Sequence, residues 1–407
     1  MNLTRRSIVG GAPAMGVGAC ATLPIRARSY DAIVVGAGAF GAWTAEHLRR
    51  ANKSVLLVDQ LGPANANASS GGESRMTRST YGANRIYTEM ALASLAEWRA
   101  LSERASLPIF HRAGVLFLFQ QMVDYARDAI AVHREIGLEL EVMDASALAR
   151  RWPQIELSGI EFGLHEPGFG PLMARRGVQE TVRRFVARGG EYRLGRGEPQ
   201  GDDGHAVRIG GEVLQADAVV YACGPWLGKV FPDLLAERIA VERQEVAFIA
   251  PPPGDRRFEP DQLPGWADFN NVDLYYGFPN LEARGFKIAH DAIGAPFDPD
   301  LGDRRMSEAG MGLLRAFVAR RFPALAERPF VEFRVCQSEK SSSGDFLIDR
   351  HPTLEGAFLL GAGSAHGFKH GPEVGRMMAE LVLGRLAEPD PRFSLATKDV
   401  AVSGGVL

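Results

Sequence analysis

Gly36-Ala37-Gly38-Ala39-Phe40-Gly41 has the pattern G-x-G-x-x-G, and a carboxylate, Asp59, follows it. Gly36 suits a tight turn, Gly38 lets a backbone approach a pyrophosphate, and Gly41 lets a helix pack closely on a strand. Asp59 is placed to accept hydrogen bonds from a ribose diol. That set points to a dinucleotide site but does not separate FAD from NAD. Arg75 and Arg78 stand in a polar, glycine- and serine-rich loop, Gly62 to Arg78. A guanidinium offers a rigid, two-pronged, permanently charged clamp for a carboxylate. In Gly285-Phe-Lys-Ile-Ala-His290, strand alternation puts Phe286, Ile288 and His290 on one face and Lys287, Ala289 and Asp291 on the other. Lys287 thus leaves the apolar face with only a small alanine beside it.

These groups need positioning elements. Ala32 to Val35 is a short apolar run that reads as a buried parallel strand. The stretch Ala42 to Ala51 is amphipathic, and Ser54 to Asp59 is a second strand ending on the acid, so strand, helix, strand and acid are in register. Helices are expected from Tyr87 to Trp98, Val123 to Gly137, Ser146 to Arg151, Ala174 to Arg188, Met306 to Phe322 and near the end of Gly367 to Leu386. Strands are expected at Gly114 to Phe119, Ile160 to His165, Glu191 to Asp217, Ala216 to Tyr221, Glu242 to Ala250, Leu274 to Ala289, Leu347 to Asp349 and Ala357 to Gly361. Gly168 to Pro171 reads as a turn, and Gly62 to Arg78 as too short and too charged for a core element. Parallel-type strands lie at the start, middle and end of the chain, with alternating ones between. Two domains assembled from separate segments follow.

The composition narrows the class. A chain of 407 residues with a net charge of −3 is ordinary for a soluble globular protein and gives no reason to expect nucleic acid. No apolar stretch reaches the roughly 18–20 residues that span a bilayer. Three cysteines, Cys20, Cys223 and Cys336, are too few for a disulfide framework and have no metal-ligand spacing. The first 28 residues differ from the rest. Thr4-Arg5-Arg6-Ser7-Ile8 resembles a twin-arginine export signal, a weakly hydrophobic run follows, and Val17-Gly-Ala-Cys20 resembles a lipoprotein cleavage box with Cys20 as the lipid anchor. Export to the periplasm or cell envelope is expected from it. The alternative is a plain N-terminal extension on a cytoplasmic protein.

Four segments together carry a family resemblance: the fingerprint above; Ser69-Ser-Gly-Gly-Glu-Ser-Arg-Met-Thr-Arg78; Tyr275-Tyr-Gly-Phe-Pro279 with Gly285 to His290; and Arg334-Val-Cys336, Asp345 to Asp349 and Gly361-Ala-Gly-Ser-Ala-His-Gly-Phe-Lys369. They resemble the sarcosine oxidase group of flavoprotein amine oxidases, in the D-amino-acid-oxidase-like superfamily, over about residues 30 to 390. The resemblance implies an α/β fold: a Rossmann-type FAD-binding domain with an interleaved α+β substrate domain on a mixed, largely antiparallel sheet. Residues 29–107, 165–228 and 340–395 would form the first and 108–164 and 229–339 the second, after a leader (1–28) and before a tail (396–407). It implies Arg75 at the flavin ring, Arg78 and Lys369 on the substrate carboxylate, Lys287 promoting reaction with oxygen, and Tyr276 lining the substrate pocket. Cys336 would bond covalently to the flavin. Cys223 is better read as a buried apolar thiol. Gln60, Ser70, Met76, Gly224, Trp226, Gly363, His366, Gly367 and Phe368 complete the implied FAD site. The chain also departs from the pattern: Ser338 stands for an aromatic, Asp291 for a histidine, and Ser341 to Gly344 for a stretch that often includes an acid. The amine end of the pocket is therefore changed.

The resemblance implies oxidation of the C–N bond of an amino acid, N-alkylated or cyclic, to an imine, with oxygen reduced to hydrogen peroxide. A flavin amine dehydrogenase that passes electrons to a quinone or a protein, and a redox-silent flavin binder, are the alternatives. The expected partners are a small amino acid and oxygen.

Overall fold

The computed structural model describes residues 29–270 and 273–400. The expected leader, with Arg5, Arg6 and Cys20, lies outside them. No helix among the described residues is long and apolar enough to cross a membrane.

Two eight-stranded sheets organise the chain. The first runs in the order Leu347–Arg350, Ala357–Gly361, Glu212–Tyr221, Ser29–Val35, Val55–Asp59, Glu191–Leu194, and Gly197–Gln200 and Ala206–Ile209 extend it. Its inner strands are parallel, and the stretches 32–35, 55–58 and 218–221 are apolar and buried because both faces are covered there. Helices Ala39–Arg50, Ala174–Ala187 and Gly371–Val382 cover one face.

The second sheet runs Phe330–Ser341, Ile239–Ile249, Phe286–Asp291, Asp273–Phe278, Gly265–Asn270, Val115–Phe119, Phe162–Glu166, Glu141–Asp144. All its pairs are antiparallel except Val115–Phe119 with Gly265–Asn270. The fold is thus a Rossmann-type α/β unit interleaved with a mixed, largely antiparallel α+β unit. One face of the second sheet packs Phe286 and Ile288 against helix Glu308–Arg321 and Phe322. The opposite face carries Phe117, Ala267, Leu274, Tyr276, Asp291 and Cys336 and roofs a cleft over the first sheet.

Several local readings change. Ser74–Thr77 is a strand, with Ser74 and Thr77 buried, paired with Gly170–Met173. The polar loop therefore does join the interior, because each short strand satisfies the other's backbone. The same pairing extends what reads as the Gly168 to Pro171 turn into a strand. Gly265–Asn270 carries no strand signal because Asp268 interrupts it. That carboxylate is buried against the Arg321 guanidinium at 2.9 Å, so the strand holds on its core face, beside Trp266, an acid that residue type alone would place in solvent. The expected break points at 165 and 340 fall inside strands Phe162–Glu166 and Phe330–Ser341. Of the expected tail, Lys398 is buried.

Candidate active site

The cleft between the sheets has a volume of about 360 Å³, within the range of roughly 300–1,000 Å³ typical of ligand clefts. It runs from the glycine turn to Arg78 and Lys369, and it brings together segments from the whole chain.

At one end the first strand enters helix Ala39–Arg50. Gly36 has φ +110°, and a Cβ there would sit 2.2 Å from the Ala222 carbonyl oxygen. At Gly41 a Cβ would lie 1.9 Å from the Gly36 carbonyl oxygen, so the helix can start this close to the strand only without side chains. Gly36, Gly38, Ala39 and Phe40 face the cleft, whereas Ala37 and Gly41 serve the packing behind it. The Ala37 N–H donates to Asp59 Oδ2 at 2.8 Å and the Ala39 N–H to Ser70 Oγ at 3.2 Å. The helix N-terminus has no side-chain cap and no acid in its first turn. Its positive end is left for an anion that the protein does not supply. Asp59, at the end of the second strand, lines the cleft beside Gln60. Asp59 also accepts from Leu61 and Gly62, and burial raises its carboxyl. A pyrophosphate at the helix end with a ribose at Asp59 fits this donor and acceptor set, as a dinucleotide such as FAD requires.

In the middle, the Arg75 guanidinium donates to the carbonyls of Gly72, Ser74 and Ser69 at 2.7, 3.0 and 2.8 Å. It also lies 4.0 Å from Cys336 Sγ. A Cβ on Gly72 would strike both groups, at 2.4 Å and 2.8 Å, so the loop needs glycine there. Cys336 is buried beside Tyr276, Ala289 and Val246 and faces the cleft. Met76, Gly224, Trp226, Gly363, His366, Gly367 and Phe368 also line it. Cys223 is only half-buried and lines the cleft as well, with its sulfur 3.5 Å from the Val35 carbonyl. Burial pushes its thiol up to about 12, which keeps it unreactive.

At the far end the half-buried Arg78 and the buried Lys369 share one tyrosine. Arg78 stacks over Tyr81 at 4.0 Å and donates to the Thr80 carbonyl and, at 3.4 Å, to the Tyr125 hydroxyl. Lys369 donates to the Tyr81 hydroxyl and the His366 carbonyl, both at 2.7 Å. Burial first, then Arg78, holds the Lys369 ammonium well below its ordinary range. His366 is likewise held neutral by burial and by Lys369, and it bonds to the Gly344 carbonyl at 3.1 Å. Neither cation has a carboxylate of the described chain within 4.0 Å. Buried charges without partners are costly, so this arrangement is suited to an incoming anion.

Lys287 is placed differently from the expectation. It is 1% exposed, stands behind the cleft wall, and donates to the Ser74 carbonyl at 2.8 Å and Ser74 Oγ at 3.2 Å. Phe278 and Phe248 flank it, with ring centroids 5.1 and 5.8 Å from Nζ. Burial, then Arg75, lowers its ammonium to about 7. The alanine beside it packs with Cys336, Val246 and Tyr276.

Several residues of this site had no sequence signal of their own. Tyr81 is the hinge between Arg78 and Lys369. Glu166 is fully buried and accepts from Ser79 N, Ser79 Oγ and Thr80 Oγ1 at 2.9, 2.6 and 2.9 Å, which fixes the loop that carries Arg78. Glu339 is buried in the cleft wall with Ser69 Oγ at 2.6 Å, and burial raises its carboxyl. Only the run Arg78-Ser-Thr-Tyr81 offered a hint, as an aromatic close to a paired arginine.

Known proteins share this architecture. A family model described as "DAO: FAD dependent oxidoreductase" matches residues 31–381. Monomeric sarcosine oxidase of Bacillus sp. (strain B-0618) is 27% identical over 369 residues, covering 89% of this chain and 94% of that protein. N-methyl-L-tryptophan oxidase of Salmonella newport (strain SL254) is 26% identical over 372 residues, covering 90% and 97%. The solved open form of NikD, an unusual amino acid oxidase essential for nikkomycin biosynthesis, has the same fold, with a TM-score of 0.75 at 23% identity over 90% of this chain and 97% of that one.

Proposed function

Because the chain belongs to the DAO family of FAD-dependent oxidoreductases, we propose that it oxidises the C–N bond of an amino acid, N-alkylated or cyclic, whose carboxylate it grips with Arg78 and Lys369. One observation carries this reading: the half-buried Arg78 and the buried Lys369, joined through Tyr81, stand at one end of a dinucleotide cleft with no carboxylate within 4.0 Å among the described residues. The sarcosine and N-methyl-tryptophan oxidases it resembles are named for substrates of this class.

Each residue has a physical task. Arg78 supplies the fixed charge, oriented by the Thr80 carbonyl and the Tyr81 ring. A bound carboxylate restores the ammonium state of Lys369 by replacing the solvent that burial removed. Phe117, Phe269, Leu274 and Tyr276 wall the rest of the pocket and exclude water from the reacting bond. FAD, when bound, accepts the two electrons of the oxidation, and the imine that leaves hydrolyses in water. Cys336, which faces the cleft 4.0 Å from the Arg75 guanidinium, is suited to a covalent link to the cofactor. Oxygen as the final acceptor, with hydrogen peroxide as product, accords with a Lys287 cation next to Arg75 and Cys336. Transfer to a quinone or protein acceptor is the second reading, and it is favoured by the engagement of Lys287 with Ser74 behind the wall.

The test is a panel of N-methyl and cyclic amino acids, beside the same amines lacking a carboxylate. Flavin bleaching is followed without air, peroxide is followed in air, and dye reduction with an artificial acceptor. Bleaching by the acids alone supports the reading. Equal bleaching by amines without a carboxylate would overturn it, and dye reduction without peroxide would select the dehydrogenase.

A further inference from the structure

Asp291 ends the strand Phe286–Asp291 on the face that roofs the cleft, opposite Leu274 in register, and it lines the same cavity as Arg78. Asp291 is half-buried, and it lines the cavity with its carboxylate on the cleft face of the strand. Its carboxylate accepts no hydrogen bond and makes no ion pair within 4.0 Å among the described residues. Among the described residues, no basic group around it forms an ion pair with it. Lys340 pairs with the buried Glu242 at 2.8 Å. His290, on the other face of the strand, pairs with Asp273 at 3.0 Å. Arg78 and Lys369 are held on Tyr81 and on backbone carbonyls.

One cavity therefore presents two basic groups and one carboxylate, none of them ion-paired within 4.0 Å among the described residues. An anionic ligand would satisfy only the first. A zwitterion satisfies all three, with its carboxylate on Arg78 and Lys369 and its ammonium toward Asp291.

We propose that Asp291 is the amine-recognition group of this pocket: it receives the substrate as a zwitterion and takes the ammonium proton. The inference rests on the carboxylate-binding reading above and extends it to the other end of the substrate. The step balances simply. An N–H bond of the ammonium breaks, an O–H bond forms on Asp291, and the electron pair stays on nitrogen, which becomes the free base needed for C–N oxidation. The total charge of the cavity is unchanged. Burial raises the Asp291 carboxyl, while Lys340 and then Arg78 pull it down and Glu242 pushes it up; the balance favours a group that can hold this proton. The same carboxylate selects against acids that lack an amine, because they close the cavity over it and leave it without a partner.

Two probes separate the two ends of the site: sarcosine, and (methylthio)acetate, which keeps the methyl group and carboxylate but has sulfur in place of nitrogen. Each is titrated anaerobically into the flavin-loaded enzyme, and binding is read from the shift of the visible flavin spectrum before any reduction. Asp291→Asn is expected to weaken sarcosine by roughly 10- to 100-fold, the scale of a lost charged hydrogen bond. (Methylthio)acetate should bind Asp291→Asn as well as wild type, or better. Equal weakening of both probes overturns the role of Asp291 and leaves the carboxylate site standing. Failure of both probes to perturb the wild-type flavin sinks the carboxylate reading and this one with it. Should Asp291→Asn not retain flavin, the wild type alone decides: sarcosine binding more tightly than (methylthio)acetate below the pKa of the amine supports the proposal, and the reverse order overturns it.

Discussion

Replacing Lys287 by methionine keeps the length of the side chain and removes its charge. The ammonium, ordinarily near 10.5, is brought to about 7 by burial and then by Arg75. At about 1.4 kcal/mol per pKa unit, roughly 3.5 units of displacement makes the buried charge unfavourable by on the order of 5 kcal/mol. Near neutral pH about half the lysines carry the proton. If the cation speeds the reaction with oxygen, the oxidative half-reaction should be fast below about pH 7 and fall as the lysine loses its proton above it. Lys287→Met should show a flat profile, on the order of 10²–10³ below the acid plateau of the wild type. The reductive half-reaction should change little, since the carboxylate is held by Arg78 and Lys369. Stability supplies an independent readout. Between about pH 7 and 10.5 the unfolded chain holds this proton and the fold does not, so the wild type gains stability as pH rises through that window. Lys287→Met should lose that slope. It forfeits two hydrogen bonds to Ser74 but avoids burying a charge, so at pH 7 it should be more stable by roughly 1–4 kcal/mol. Stopped-flow reoxidation of the anaerobically reduced enzyme, with thermal melts across the same pH range, measures both. A wild-type reoxidation rate flat with pH and matched by Lys287→Met would reduce this lysine to a structural peg on Ser74 and move the dehydrogenase reading ahead.

Arg78→Ala should be the mirror image of Lys287→Met, with slow flavin reduction at ordinary substrate levels and near-normal reoxidation in the same stopped-flow traces. Acid precipitation should leave flavin colour on the wild type and on Cys223→Ser but not on Cys336→Ser; free release from the wild type would refute the covalent link. Paired Arg5→Lys and Arg6→Lys substitutions should retain the protein in the cytoplasm, and fractionation that finds wild type there with Met1 intact would remove the export proposal.

The dinucleotide end of the site was legible because its parts are contiguous. Strand, glycine turn, helix, strand and acid occupy residues 29 to 59, and each is set by local sterics and periodicity. The family resemblance reached further, naming Arg78, Lys369 and Cys336 from spacing alone, although nothing local says that they meet. Their meeting is tertiary: the Lys369 ammonium finds the Tyr81 hydroxyl across 288 positions, and Arg75 finds Cys336 across 261. The face of Lys287 could be worked out from strand alternation, but not its neighbours, because alternation says which side a residue leaves and not what packs there. Ser74, in a loop with no core signal, closes over it only because Ser74–Thr77 pairs with Gly170–Met173. Asp291 shows the same division. Its sequence position marked it as a departure from a pattern, whereas its lack of a partner is decided by Glu242 having already taken Lys340 and by Tyr81 and backbone carbonyls holding the cations at the far end. Whether a buried charge is free or paired depends on every element that packs around it, so it is the tertiary structure that decides it.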